Sequence, residues 1–230
     1  MSRKQTEWVQ QLDIAIAERN LLKHPFYQDW QAGTLEHARL RLYAAQYYLH
    51  VQDFPLHLRN LADRAEGGLR ALVLENLAEE ENSAAPHPKL WRHFAAAIGV
   101  GEETLWTSAA LPGIRRLIET YREICQQRSL AEAVAALYAY EAQVPEIATS
   151  KIAGLRRHYG VSTATGLAYF AVHEQADKLH RAACRGWLEN YGNSSVPPEN
   201  NVDQEQILQT ARRALDALWG ALDSIQTAPC

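Results

Sequence analysis

The amino-acid sequence predicts an all-α protein, a single-domain bundle of about seven main helices. Apolar residues recur at helical spacing along most of the chain, as at Trp8, Leu12 and Ile16 in the first helix. Strands are not expected, because no alternating run of Val, Ile and Thr lies between turn residues. The chain has 230 residues, 47% of them hydrophobic, and is long enough to bury a core without disulfides. We therefore treat residues 1–230 as one helical domain.

Composition excludes several classes of protein. A formal net charge of −4 argues against a nucleic-acid-binding protein, which usually carries a basic face. The chain has no run of ~20 apolar residues, the length that a membrane span needs. Its start lacks the apolar core of a signal peptide, and its three cysteines are unclustered, as expected in a reducing compartment. The sequence thus predicts a cytoplasmic protein that binds neither nucleic acid nor membranes.

Caps and helix breakers predict the order of the elements in the first half of the chain. Thr34 is expected to cap the second helix, which should end before Pro55 because an internal proline removes a backbone donor. A third helix is expected over 68–81. Prolines then separate it from a short helix over 89–98, and a further helix follows over 112–127.

The clearest helix start in the sequence is the capping box of Ser129 and Glu132. We expect the helix that begins there to run to residue 159, with a kink at Pro145. The next helix is expected over 162–191. A polar loop over 193–202, a last helix over 203–227 and a flexible tail over 228–230 complete the prediction.

The strongest chemical pattern is H-x3-D-x2-H, formed by His173, Asp177 and His180 inside one helix. Helical geometry places these side chains within an arc of about 60°. The residues that share this face are uncharged, so the face is expected to point inward. Two imidazoles and a carboxylate converging in a core suit iron or manganese. The alternative is an exposed polar stripe in which Asp177 pairs with Arg181.

Glu141 is the second element of this pattern, because it lies in the apolar stretch AVAALYAYEAQVPEI. An unpaired carboxylate would be costly there. Pro145 has no amide for the carbonyl of residue 141, so the helix should break beside the glutamate. The alternative is a glutamate whose carboxylate bonds a buried tyrosine or arginine.

The third element is the glutamate run at 79–81, followed by His87 between two prolines. Glu80 and His87 are seven residues apart, which places them within about 20° on a continuous helix, although the prolines interrupt such a helix. We expect two of the three glutamates to be solvated. Three carboxylates and three imidazoles form a ligand set for two metal ions rather than one. The predicted ligands are Glu80, His87, Glu141, His173, Asp177 and His180.

This pattern resembles the haem-oxygenase-like di-iron oxidases and oxygenases. Within them it looks most like the CADD-like family, named after the Chlamydia protein associating with death domains. The resemblance implies a helical bundle, often dimeric, with a dinuclear Fe/Fe or Mn/Fe site between helices. The segments that carry it are His24-Pro-Phe-Tyr27, 75–81 with His87-Pro-Lys-Leu-Trp91, 138–145 through Lys151-Ile-Ala-Gly154, and 169–180.

The resemblance also implies an unusual reaction. Family members supply p-aminobenzoate for folate synthesis from one of their own tyrosines, which is cleaved oxidatively with O2 and an external reductant. By resemblance, Tyr27 is the sacrificed residue and Lys151 supplies the amino nitrogen. Tyr43 and Tyr140 match tyrosines thought to assist electron transfer. Consumption of Tyr27 would limit each chain to one product.

Helix geometry questions one part of this scheme. Lys151 follows Glu141 by ten residues, which on a straight helix is ~15 Å along the axis and ~80° around it. Amine transfer therefore needs the kink at Pro145, or a movement of the ring.

Three alternatives remain open at this point. The first is a di-iron oxidase with the same six ligands that acts on an external amino acid or fatty acid. The second is a metal-free helper similar to thiaminase II or pyrroloquinoline-quinone synthase. The third is a binding module for another protein, which would leave the six-residue pattern unexplained.

Overall fold

The computed structural model describes residues 3–82, 84–191 and 204–230, and every regular element within these ranges is helical. The predicted all-α class is therefore confirmed. A short 3-10 turn, Leu21–Lys23, lies between the first two α-helices. The α-helices are α1 Arg3–Glu18, α2 Pro25–Ala32, α3 His37–Arg64, α4 Gly67–Glu80, α5 His87–Ala97, α6 Glu102–Thr107, α7 Pro112–Gln127, α8 Leu130–Glu141, α9 Val144–His158, α10 Ala164–Tyr191 and α11 Gln204–Thr227.

Two long helices organise the bundle. α3 packs against α4, α5 and α7, and α10 packs against α5, α8 and α9. α11 covers α7 and α8 from the other side. The core between them is rich in aromatic side chains, among which Trp30, Tyr43 and Trp91 are completely buried. This places tyrosine and tryptophan rings next to the helices that carry the predicted ligands.

The second predicted helix corresponds to α3, and both of its predicted ends were wrong. Its N-cap is Glu36 rather than Thr34, whose hydroxyl donates to Asp29 Oδ1 at 3.1 Å. α3 also continues through Pro55 to Arg64. A proline inside a helix removes one backbone hydrogen bond. Burial of apolar residues on both sides of Pro55, including Phe54 and Leu58, offsets that loss.

The predicted kink at Pro145 is a complete break between α8 and α9. α8 begins with the predicted capping box, in which Ser129 and Glu132 satisfy each other's backbone amides. It ends at Glu141, and Pro145 occupies the first turn of α9, where its missing N–H costs nothing. The break therefore follows Glu141 directly.

The other predicted helix boundaries agree with the structure within two residues. The 3-10 turn, α2 and α6 were not predicted, because elements of eight residues or fewer are too short for a periodic pattern. The predicted loop 193–202 and residue 203 lie outside the described residues. Residues 228–230 follow the end of α11.

Candidate metal centre and tyrosine–lysine cluster

The first ligand group consists of Glu80, His87 and His173, which come from α4, α5 and α10. One side-chain ligand atom of each residue lies within 4.8 Å of the others. His87 Nδ1 is 2.9 Å from Glu80 Oε2, and His173 Nε2 is 3.9 Å from Glu80 Oε1. Glu80 is the last residue of α4 and His87 the first of α5. The turn between these helices therefore brings the pair together, rather than a continuous helix.

The second ligand group consists of Glu141, Asp177 and His180, again with ligand atoms within 4.8 Å of one another. Glu141 comes from the end of α8, while Asp177 and His180 come from α10. His180 Nδ1 lies 3.6 Å from Asp177 Oδ1. α10 thus contributes to both groups from one buried face, as its spacing predicts.

The three glutamates of the run before α5 differ in exposure. Glu80 is buried, whereas Glu81 is exposed and pairs with Arg59. Glu79 is partly exposed and lies 3.5 Å from Nε2 of His180. The structure therefore places one glutamate of the run inside the site and one at its edge.

The charges of these groups fit a bound cation. Burial, followed by the negative charge of Asp177, raises the pKa of Glu141 to about 8. Burial also raises the pKa of Asp177 to about 6. Asp177 Oδ2 and both ring nitrogens of His180 are buried without a hydrogen-bond partner among the described residues. Because buried polar atoms are normally paired, these unpaired atoms are suited to bind a metal ion, and their mixture of imidazole and carboxylate suits Fe or Mn.

Two further side chains hold Glu141 in place. Asn76 Nδ2 donates a hydrogen bond to Glu141 Oε1 at 2.5 Å, and Cys184 Sγ lies 3.7 Å from Oε2. No role was predicted for Asn76 from the sequence. The only signal was its position four residues before Glu80, on the same face of α4.

Tyr27, Tyr43 and Lys151 form a second cluster, from α2, α3 and α9. The hydroxyls of Tyr27 and Tyr43 are 3.5 Å apart, and Lys151 Nζ donates to the Tyr43 hydroxyl at 2.5 Å. Nζ lies 5.2 Å from the centre of the Tyr27 ring. The rings within 5.9 Å of this amino group are those of Tyr27, Trp30, Tyr43, Tyr47, Trp91 and Phe170.

The surroundings of Lys151 favour a neutral amine. Its side chain is buried, and no carboxylate of the described residues forms an ion pair with it. Burial lowers the pKa of the amine to about 7. A lysine desolvated in this way is a nucleophile at neutral pH.

A cavity of about 20 Å³ borders the tyrosine–lysine cluster and reaches His173 of the first ligand group. Its lining includes Tyr27, Tyr140, Lys151 and His173. This volume accommodates about one water molecule. An amino acid or a fatty acid is much larger than this cavity.

Tyr140 precedes Glu141 and borders the same cavity. Its hydroxyl accepts a hydrogen bond from Tyr47 at 3.3 Å, and the Tyr47 ring stacks on Tyr43 with centroids 5.3 Å apart. Tyr47 therefore links Tyr140 to Tyr43, the two tyrosines that the resemblance assigns to electron transfer. No role was predicted for Tyr47 from the sequence. Tyr47 follows Tyr43 by one helical turn, and that spacing was the available signal.

Comparison with known proteins identifies the family. A profile of the family described as iron-containing redox enzymes matches residues 41–219. The chain is also 38% identical over 228 residues to the 4-aminobenzoate synthase of Chlamydia pneumoniae, with 98% of each chain covered. The chain belongs to the family of iron-containing redox enzymes. The family resemblance predicted from the sequence is thereby confirmed.

Solved structures give this redox enzyme the haem-oxygenase-like fold. A TenA homologue from Pseudomonas syringae superimposes with a TM-score of 0.81 at 19% identity, covering 96% of this chain and 93% of the other. A CADD-like protein of unknown function from Nostoc punctiforme gives 0.75 at 17% identity, covering 97% of this chain and 100% of the other. Among the helices that the structure describes, none has the length and apolar character needed to cross a membrane.

Proposed function

We propose that this redox enzyme is a 4-aminobenzoate synthase that makes its product from its own Tyr27. The Chlamydia pneumoniae relative carries the name of this activity. The observation that carries the self-sacrificing part is the position of Lys151 Nζ, 5.2 Å from the centre of the Tyr27 ring beside a cavity of about 20 Å³. A donor amine and an aromatic ring are thus already adjacent, and the cavity has no room for an external substrate.

The six predicted ligands would hold two metal ions, Fe/Fe or Mn/Fe, in the two ligand groups. When bound, such ions supply the redox couple that activates O2, with electrons from an external one-electron donor. The chain's own residues do the remaining work. Tyr43 accepts the hydrogen bond of the Lys151 amine and fixes its direction. The aromatic rings around Nζ exclude water and so lower the pKa of the amine to about 7.

In the proposed reaction the Cα–Cβ bond of Tyr27 breaks. One O2 oxidises Cβ to the carboxyl carbon of the product, and Cα gains a hydrogen, which leaves glycine at residue 27. The phenolic C–O bond is replaced by a C–N bond to the nitrogen of Lys151. The phenolic oxygen leaves as water. A second O2 and two electrons from the external reductant then oxidise Cε to an aldehyde, which breaks the Nζ–Cε bond and releases one water. The predicted homodimer, the external reductant and the cytoplasmic location stay predictions.

Mass spectrometry tests this proposal. Protein labelled with ε-¹⁵N-lysine is loaded with Fe(II), alone or with Mn(II), and given reductant and O2. We expect ¹⁵N-labelled 4-aminobenzoate, at most one per chain, and a loss of side-chain mass at residue 27. Tyr27→Phe should give no product, whereas Tyr48→Phe, a buried tyrosine hydroxyl bonded to Arg92, should give a normal yield.

Three other results would contradict parts of this proposal. Product from Tyr27→Phe, or an intact Tyr27 after product release, would show that the ring comes from an external substrate. Unlabelled product would exclude Lys151 as the nitrogen donor. Fewer than one metal per chain after anaerobic loading would favour the metal-free alternative.

A further inference from the structure

Gln143 lies in the break between α8 and α9, two residues after Glu141, and is almost completely buried. Its side chain makes two hydrogen bonds in different directions. Nε2 donates to the carbonyl of Ala139 at 3.0 Å, and Oε1 accepts from the backbone amide of Leu21 at 2.8 Å. One amide group therefore links the ligand-bearing α8 to the segment that leads into α2.

Each of these bonds satisfies a backbone group that would otherwise be unpaired. The carbonyl of Ala139 lacks its usual helical donor, because the backbone amide of Gln143 bonds the carbonyl of Tyr140 instead. The amide of Leu21 opens the 3-10 turn, where a first amide has no partner within the turn. A glutamine is suited to both tasks, because it carries a donor and an acceptor at the end of one side chain.

The segment that Gln143 holds determines where Tyr27 lies. The 3-10 turn ends at Lys23, and the next residue, His24, accepts at Nδ1 from the amide of Phe26 and so caps α2. Tyr27 follows in the first turn of that helix. His24 Nε2 lies 3.1 Å from Asp223 Oδ1 on α11, so a second side chain anchors the other end of the turn. Only a short segment lies between Leu21, which bonds Gln143, and Tyr27. The position of Leu21 therefore restricts the position of the Tyr27 ring.

We infer that Gln143 is a positioning residue that ties the Tyr27 segment to the helix break behind Glu141. It thereby sets the place of the Tyr27 ring relative to Lys151 and the second ligand group. The inference rests on the proposed function only for its effect on product, since the tie itself is a property of the folded chain. Loss of the bond would leave a buried amide unpaired, which favours local opening by about tenfold.

The test compares three variants with the wild type in metal-free protein. Gln143→Met keeps the shape and removes both hydrogen bonds, while Gln143→Glu keeps an acceptor for Leu21. Gln226→Met is the matched control, because Gln226 Nε2 donates to Asp29 Oδ2 of the same α2 but from α11. Hydrogen exchange reports on residues 20–33, and ¹⁹F NMR of 3-fluorotyrosine-labelled protein reports on the Tyr27 ring.

Gln143→Met should speed exchange in residues 20–24 by about tenfold and shift or broaden the Tyr27 resonance. Gln143→Glu keeps the Leu21 bond but loses the donor to Ala139, so it should fall between the wild type and Gln143→Met. Gln226→Met should leave the Tyr27 resonance unchanged. In metal-loaded protein, Gln143→Met should lower 4-aminobenzoate per chain while the metal content stays the same. Melting curves of each variant exclude global unfolding as the cause.

An unchanged Tyr27 resonance in Gln143→Met, or an equal change in Gln226→Met, would overturn the inference. A normal product yield from a Gln143→Met protein with a displaced Tyr27 resonance would overturn it as well. If the wild type makes no 4-aminobenzoate, the proposed function fails. The exchange and NMR results on metal-free protein then still decide whether Gln143 positions the ring.

Discussion

The amino group of Lys151 lies 5.2 Å from the centre of the Tyr27 ring, although the two residues belong to different helices. A straight helix from Glu141 would have carried the lysine ~15 Å along its axis. The break between α8 and α9 ends that straight helix after Glu141, and Lys151 borders the same cavity as Tyr27. No movement of the ring is needed to bring it near the amine.

The first prediction concerns the pH dependence of stability. Burial lowers the pKa of Lys151 to about 7 in the folded protein, whereas an unfolded lysine has a pKa of about 10.4. Between these values the unfolded chain binds a proton that the folded chain lacks. The free energy of unfolding therefore rises with pH over this interval, by up to about 1.4 kcal/mol per pH unit from this group.

Lys151→Met removes this contribution. Urea denaturation at pH 7.5 and pH 9 should give a smaller increase in the free energy of unfolding for Lys151→Met than for the wild type. Lys178→Met, on α10, is a control that should behave like the wild type, because Lys178 is exposed. Parallel pH profiles of the wild type and Lys151→Met would show that Lys151 is not a desolvated amine.

The same pKa predicts a pH dependence of the reaction. Product yield should fall as the pH drops below about 7, since protonation of the Lys151 amine removes the nucleophile.

The second prediction concerns Asn76, which donates to Glu141 Oε1 at 2.5 Å. Asn76→Leu should weaken metal binding in the second ligand group by about 10- to 100-fold, because hydrogen bonds to a ligand orient it. Anaerobic Fe(II) titration by calorimetry measures the effect. Thr210→Val is the matched control, since Thr210 donates to Glu132, a buried carboxylate outside the site. Equal losses of metal affinity in the two variants would point to a general loss of stability instead.

The third prediction concerns the separation of the two ligand groups. His87→Ala removes a residue from the first group and His180→Ala one from the second. Each variant should retain about one metal ion of the expected two, because each leaves one group of three ligands complete. Metal should also raise the melting temperature of the wild type, since an ion bound only by the folded state stabilises it. Loss of all metal from both variants would show that the six residues form a single interdependent site.

Residues that share one helix were the most predictable part of the site. The spacing of His173, Asp177 and His180 placed them on one face, and the structure buries all three. Helical geometry connects spacing to direction, so one sequence is enough for such a set. Glu141 was predictable for a different reason, because an isolated carboxylate in an apolar helix requires a partner.

Relationships between helices were not predictable in this way. The contact of Lys151 with Tyr27 depends on how α9 leaves the break and how α2 packs against it. Asn76 and Tyr47 are ordinary residues of amphipathic helices until the neighbouring helix is in place. Continuation of α3 through Pro55 was missed because local proline chemistry opposes it, and only the buried contacts of the folded bundle outweigh that preference.

The fourth prediction concerns Gly154, one turn after Lys151 on α9. A Cβ at this position would lie 2.5 Å from Trp30 Cδ1 and 2.6 Å from Nε1. Trp30 also donates to the carbonyl of Lys151 at 3.4 Å, so its displacement disturbs the surroundings of the amine. Gly154→Ala should therefore destabilise the protein by about 1–3 kcal/mol and lower the product yield.

Gly186→Ala on α10 is the control. Its Cβ would meet nothing within 4 Å, and it should stabilise the helix by up to about 1 kcal/mol. Urea denaturation measures both changes, and a stabilising Gly154→Ala would contradict the close packing of Trp30 against α9.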